Sequence, residues 1–372
     1  MNRKNIEHIS KHQLFCLVMM GQIGSTNLWA LGIEAKQDAW IAILISMLIG
    51  FAFIWVFTEL YKNYQENNIA GTSIAILGKV IGWPLAFFYA LVNLFNVTRN
   101  SSEFADLINI TFLQETPRIV IIFIFLATII YISFLKLETL ARVIEIILPL
   151  VLFLIILIYI MIIASGRLDL KQLTPVLGNG ITPVLKATYP VTINFPFGLV
   201  FIFMQFWHYT EPKSTVRKTT FFAVGISGLI LATTLIVIVS VLGPNLAADS
   251  TIPFLEVIKL INIADIITNM DAIGVLLIFI GGFYFAILNF LSGAMILSTL
   301  FKSKDYRWFI IPLAAFILWY VNVYEPNYPF HVKFLKTQYW QQFVPLFNIA
   351  PVLLLIILKL KKCRNRLKGS IS

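Results

Sequence analysis

The sequence predicts an all-α polytopic membrane protein with ten transmembrane helices, and three observations carry that prediction. The 372 residues are 59% hydrophobic and only 12% charged, with a mean hydropathy of +0.86. A soluble domain typically carries about 25% charged residues, so this much apolar surface needs lipid to cover it. Uncharged runs that reach or approach the ~20 residues needed to cross a bilayer core recur ten times along the chain. Lysine and arginine alternate between the connecting segments in step with those runs.

Taken in order, the spans are expected at 13–33, 39–60, 80–112, 118–136, 142–166, 187–210, 219–243, 271–301, 307–324 and 337–359, followed by a basic tail at 360–372. The third reaches about Phe112 because its apolar periodicity persists past Arg99. β-Barrel strands would be shorter and would alternate polar and apolar residues, and these runs do not. An even number of spans puts both termini on one side. The segments on that side hold nineteen Lys and Arg, the opposite segments hold eight, and Arg99 lies within a span. Cytoplasmic termini are therefore expected. The net charge of +10 is a topology signal and does not point to nucleic acid. No cleavable leader is expected, since Met1–Lys11 is polar and the first apolar run has no clean small-residue cleavage site.

Little supports metal or enzyme chemistry. Cys16 and Cys363 lie far apart in different surroundings, and the His8/His12 pair has no further ligand at convincing spacing. We find no nucleophile–base constellation and no phosphate loop, so neither a catalytic residue, a metal nor a cofactor is expected.

Two spans are interrupted. The first carries Gly21-Gln22-Ile23-Gly24-Ser25-Thr26-Asn27, and the sixth carries Asn194-Phe195-Pro196-Phe197-Gly198 with Pro190 upstream. Proline removes a backbone donor and glycine weakens a helix. The freed groups at membrane depth need protein or a polar cavity to satisfy them. The breaks lie five spans apart, which is the pattern of a five-plus-five inverted repeat of the LeuT-like kind, with a binding site between discontinuous helices 1 and 6. A proline kink with small-residue helix packing is the plainer alternative. Gly21, Gln22, Gly24, Ser25, Asn194, Phe195 and Gly198 are accordingly candidate ligand-binding residues.

The third span places Asn93, Asn96, Asn100 and Glu103 on one helical face, and Arg99 reaches Glu103 at i+4. Arg99 lies about 24 Å along the helix from Trp83, toward the outer leaflet. An outer gate and a purely structural ion pair both fit Arg99 and Glu103. In the eighth span, Gly281-Gly282-Phe283-Tyr284-Phe285 offers flexibility and an aromatic lining, although helix–helix packing explains its glycines equally well. Tyr284 here and Asn96 on the third span are further ligand-binding candidates. Glu145, ahead of Pro149 at the start of the fifth span, is either a proton-coupling carboxylate or an interfacial anchor. Two outer connections, Asp169–Lys186 and Pro253–Met270, exceed tight turns. The second reads as a surface helix, and both fit either an outer gate or plain connectors.

Several stretches resemble the spore germination permeases, the GerAB-like B-subunits of endospore germinant receptors. They are Gln22-Ile23-Gly24-Ser25, Leu31-Gly32-Ile33-Glu34-Ala35-Lys36-Gln37-Asp38-Ala39-Trp40 and Thr111-Phe112-Leu113-Gln114-Glu115-Thr116-Pro117. Arg142 to Pro149 matches the family's Arg…Glu…Pro pattern, and the resemblance spans essentially the whole chain. It implies the fold of the amino acid–polyamine–organocation transporters and recognition of a nutrient, commonly an amino acid, in the spore inner membrane. It also implies an A-type membrane subunit and a C-type lipoprotein subunit as partners, with ion release after nutrient binding. The break at 194–198 lacks the acidic residue that family members often place nearby, which favours a small neutral amino acid or another compact polar nutrient. The rival expectations are a proton- or cation-coupled amino-acid transporter and a scaffold for a partner channel.

Overall fold

The computed structural model describes residues 7–24, 26–261, 271–324 and 338–369. The first helix, α1 (Lys11–Ile23), opens on a capping box: Ser10 Oγ accepts from the Gln13 N–H at 3.1 Å, and Gln13 Oε1 accepts from the Ser10 N–H at 3.0 Å. Two donors left over at the helix start are thereby satisfied. Beyond Gly24 the chain does not resume as an α-helix. It runs through 3-10 turns at Thr26–Leu28 and Ile33–Asp38 before α2 (Ala39–Asn63) begins. The C-terminal part of the first predicted span is thus irregular, consistent with its two glycines and run of polar side chains.

The next helices are α3 (Ile69–Thr111), α4 (Arg118–Phe134) and α5 (Leu137–Ala164). The sixth predicted span divides into α6 (Thr182–Ala187), a π-helical stretch over Thr188–Phe197, and α7 (Val200–Trp207). Tyr189 and Phe195 leave helical geometry inside that stretch, so the irregular region begins five residues before Asn194. After it come α8 (Val216–Asp249), α9 (Pro253–Lys259), α10 (Asp271–Leu300), α11 (Ile310–Tyr324) and α12 (Gln338–Gly369). Of the surface helix predicted at 253–270, α9 forms only Pro253–Lys259. It is packed into the bundle, with Phe254, Leu255, Val257 and Ile258 buried and only Glu256 and Lys259 exposed; residues 262–270 lie outside the described residues.

Among the described residues, six segments are long and apolar enough to cross a membrane: Ile33–Asn63, Ile69–Asn109, Leu137–Ala164, Lys213–Asp249, Ala272–Leu300 and Tyr306–Tyr324. α4 is apolar but shorter, at 17 residues. α3 starts eleven residues before the expected boundary at 80. Gly78, at φ +76 and ψ 176, turns the chain there, so 69–77 forms a separate short piece ahead of the spanning part. A positive φ of this kind is comfortable only for glycine.

α10 is the most enclosed spanning segment and packs along α3. The interior between α1, α3, α7 and α10 is aromatic, with Tyr89, Phe201, Phe203, Phe206, Trp207 and Phe290 fully buried. The Tyr89 hydroxyl donates to the Phe347 carbonyl at 2.8 Å and joins α3 to α12. At one end of the bundle, β1 (Ile9–Ser10) pairs in parallel with β2 (Thr210–Glu211), which ties the segment before α1 to the segment after α7.

α1 and α10 meet backbone to backbone. A Cβ at Gly281 would lie 2.2 Å from the Gly24 carbonyl carbon, and one at Gly24 would lie 2.9 Å from the Gly281 carbonyl oxygen. At Gly282, one residue on, a Cβ would meet only the Asn100 amide at 3.5 Å. Gly281→Val should therefore lower the melting temperature of the detergent-solubilised protein, at a cost of about 1–3 kcal/mol for forced overpacking. Gly282→Ala should leave it nearly unchanged.

Candidate ligand-binding site

The two interruptions touch. Gln22 is fully buried at the end of α1, and its Nε2 donates to the Pro196 carbonyl at 3.1 Å. Pro196 lies inside the π-helical stretch, where regular backbone pairing is lost. A side-chain amide from one break thus satisfies a carbonyl of the other, as membrane depth requires. The Oε1 of the same Gln22 is buried with no hydrogen-bond partner among the described residues. Gly21 lies against the Phe203 ring, where an added Cβ would come within 2.7 Å, and Gly24 lies against Gly281. Gly198 is buried at the end of the second break. Ser25 lies outside the described residues, as does the side chain of Asn194.

α3 presents its polar face to α10. Asn96 Nδ2 donates to Asn289 Oδ1 at 2.9 Å, and Asn289 Nδ2 donates to the Phe285 carbonyl at 2.8 Å. Asn93 and Asn100 are buried above and below Asn96 on that face, and each has an Oδ1 without a hydrogen-bond partner among the described residues. The 3.6-residue period brought these asparagines to one stripe. Asn289 went unrecognised in the sequence because it stands alone in an apolar run, although a solitary amide within a span is itself a signal.

Arg99 connects this stripe to the second break. Its Nε lies 3.4 Å from Glu103 Oε1, and its guanidinium stands 5.0 Å from the Phe195 ring centroid. Phe195 in turn packs edge-on against Phe285 of α10 at 5.5 Å. Tyr284 is 4% exposed and contacts Phe283, and it points to a different helical face from Phe285. A second pair lies one turn further out: Arg118 Nε is 2.7 Å from Asp106 Oδ1, and the Arg118 guanidinium also bonds Ser102. Sequence spacing on α3 alone did not reveal that partner, because Arg118 begins the next helix.

Glu145 stands apart from the breaks. Gln13 Nε2 donates to it at 3.1 Å and His12 Nε2 lies 3.6 Å away, so it joins the start of α1 to α5. Gln13 is eleven residues from Gly24, about 16 Å along a helix.

The segment Ala35-Lys36-Gln37-Asp38 acts as a clasp. Asp38 Oδ1 accepts the Leu177 N–H at 2.9 Å, and Gln37 Nε2 donates to the Pro175 carbonyl at 3.2 Å. Both acceptor and donor belong to the connection 169–181 that leads into α6. Ala35 and Ala42 pack against Val184 and Ala187 beneath it. Ser46 and Thr192 share a 2.5 Å hydrogen bond between α2 and the second break. The first connection of the chain therefore holds the run-up to the second interruption.

Comparison with known proteins gives this architecture its lineage. The family model described as "Spore germination protein" matches residues 8–329. The chain belongs to the spore permease family. Among curated spore permeases, spore germination protein KB of Bacillus subtilis (strain 168) is 30% identical over 368 residues, 97% of each chain. Spore germination protein YndE of the same organism is 24% identical over 329 residues, 88% of each. Among solved structures, Mhp1, a nucleobase-cation-symport-1 family transporter in a closed conformation with bromovinylhydantoin bound, superposes at TM-score 0.68. It is 14% identical, with coverage of 93% of this chain and 78% of its own. MhsT in complex with L-phenylalanine superposes at 0.63 with 13% identity, covering 95% of this chain and 99% of its own. These two likenesses are of fold, and the fold is the LeuT-like transporter class that the paired interruptions predict for this spore permease.

The clasp has a direct consequence. Asp38→Ala removes the acceptor of the Leu177 N–H in a partly buried hydrogen bond, at a cost of about 0.5–1.5 kcal/mol. Amide hydrogen exchange across 169–187 should quicken in that variant, while exchange in α5 stays as in the parent protein.

Proposed function

We propose that this spore permease is the nutrient-sensing subunit of a germinant receptor and binds a small nutrient, of the amino-acid class, between its two interrupted segments. The observation that carries the proposal is the Gln22-to-Pro196 hydrogen bond, which brings the two breaks to one place inside the bundle. Irregular backbone at that depth leaves N–H and C=O groups that a zwitterion can use. The backbone at Gly21–Ser25 takes the carboxylate. Asn96 and Asn194 supply hydrogen bonds, with Gln22 and Gly198 closing the cradle, and Phe195 with Tyr284 shapes the side-chain pocket. Arg99 and Glu103 neutralise one another and cover Phe195 on the outer side as a gate. The balanced pair favours a ligand without net charge. Binding shifts the gate by differential affinity for its two arrangements. The protein works in the spore inner membrane with both termini cytoplasmic, beside an A-type membrane subunit and a C-type lipoprotein subunit.

A second reading is a proton- or cation-coupled amino-acid transporter, favoured by the fold shared with Mhp1 and MhsT. On that reading Glu145, bound to Gln13 and close to His12, is the coupling carboxylate. Glu145→Gln would then abolish saturable uptake by protein in liposomes. A sensor without flux would show ligand binding and no uptake in parent and variant alike.

Deleting the gene and recording spore germination against single amino acids, nucleosides and sugars should remove the response to one nutrient or one fixed mixture. Gly24→Trp, which forces an indole against the Gly281 backbone, should abolish the same response, and the amount of variant in the membrane, read by immunoblot, separates loss of the site from loss of the fold. A normal response in Gly24→Trp spores sinks the proposed site.

A further inference from the structure

The elbow at Gly78 lies beside the basic end of α12. The turn throws out Lys79, Val80 and Ile81, with Val80 88% exposed and Ile81 60% exposed. Behind it, Gly82 is pressed onto Ser73 and Ile74, and Trp83 stacks on Phe87 with Phe301 edge-on. The projection is therefore held in place from within. In a bundle whose outer surface meets acyl chains, two aliphatic side chains next to a lysine mark the headgroup boundary.

α12 brings Lys359, Lys361, Lys362 and Arg364 to the same corner. Lys361 Nζ donates to the Ile76 carbonyl at 2.5 Å. In an unbroken helix that carbonyl would accept the N–H of Val80, and the Gly78 turn interrupts the ladder there. Lys362 bonds the Asn63 side chain at the end of α2, and Lys359 stands 5.5 Å over the Trp55 ring. All three are thus steadied by neutral groups that leave their charge uncompensated. Glu59, one turn before Asn63, is already held by Arg217 at 2.6 Å and Lys62 at 3.5 Å. Arg142, Lys213 and Arg307 likewise each face a carboxylate. Among the described residues, Lys79, Lys359, Lys361, Lys362 and Arg364 form no ion pair with one.

We propose that this corner, between the ends of α2, α3 and α12, binds the phosphate of an anionic phospholipid headgroup, with Val80 and Ile81 against its acyl chains. Lys79, Lys361 and Lys362 face the phosphate. The aliphatic pair sets the depth at which they meet it, which a freely dissolved anion would not require. A basic pocket between spanning helices is a recognised mode of headgroup binding.

The test uses the full chain in detergent, melted in the presence of a short-chain phosphatidylglycerol, the matching phosphatidylcholine, or inorganic phosphate. Phosphatidylglycerol should raise the melting temperature, and the other two should not. The Lys79→Gln/Lys361→Gln/Lys362→Gln variant should weaken the apparent phosphatidylglycerol affinity by about five-fold per lysine removed, and the corresponding triple arginine variant should restore it. Lys79→Gln alone, at an exposed side chain with no hydrogen bond among the described residues, should show the single five-fold loss if the triple variant does not fold. Equal stabilisation by phosphatidylcholine, a shift produced by inorganic phosphate alone, or an undiminished response in the glutamine variants would overturn the proposal.

Discussion

Gly24 and Gly281 allow α1 and α10 to approach until their backbones touch, and the rest of the interior is arranged around that crossing. With no side chain between them, the end of α1 is delivered into the middle of the bundle. The carbonyls and N–H groups released where α1 stops then lie among protein atoms. Lipid could not satisfy them, and each would cost several kcal/mol if left in hydrocarbon. The Gln22 side chain meets the same requirement for the second break by reaching the Pro196 carbonyl. Two irregular segments that would each be untenable alone are tolerable because they face one another.

The polar groups gathered there are unevenly satisfied. Asn96 and Asn289 bond to one another, whereas Gln22, Asn93 and Asn100 each keep an oxygen without a partner among the described residues. Every one of these orphaned atoms is an acceptor. Buried amides with spare acceptors suit a ligand that brings donors of its own, such as an ammonium group, more than a bare anion. Arg99 reinforces this balance, since its charge is engaged by Glu103 and by the face of Phe195.

The connections leading into α2 and α6 are structural participants. Gln37 and Asp38 fix the loop that enters α6, and Ser46 fixes Thr192 within the second break. That loop and the segment carrying Phe195 and Pro196 are thus both tied to the stretch from Gln37 to Ser46. At the opposite end, Glu7 accepts the Leu137 N–H and faces Arg307, while β1 pairs with β2. The start of the chain is thus joined to three other segments at that end. Each end of the structure has its own clasp around a common middle.

The membrane-spanning character, six of the ten expected spans as long apolar helices among the described residues, and the interruptions after Ile23 and within 188–197 were legible in the residues themselves, because burial in lipid imposes length and apolarity locally and because glycine and proline act on their own backbone. The asparagine stripe of α3 was legible for the same reason, since helical period is a local property. The early start of α3 was hidden by a short piece whose sequence continues the helical pattern up to a single turning glycine. Asn289 opposite Asn96, Arg118 opposite Asp106, Phe195 beneath Arg99 and the clasp by Asp38 belong to the tertiary structure alone. Each joins residues from separate segments, and nothing in one helix's pattern states which neighbour it will face. The sequence by itself determined which groups the membrane would force inward, and only packing decided which of them meet.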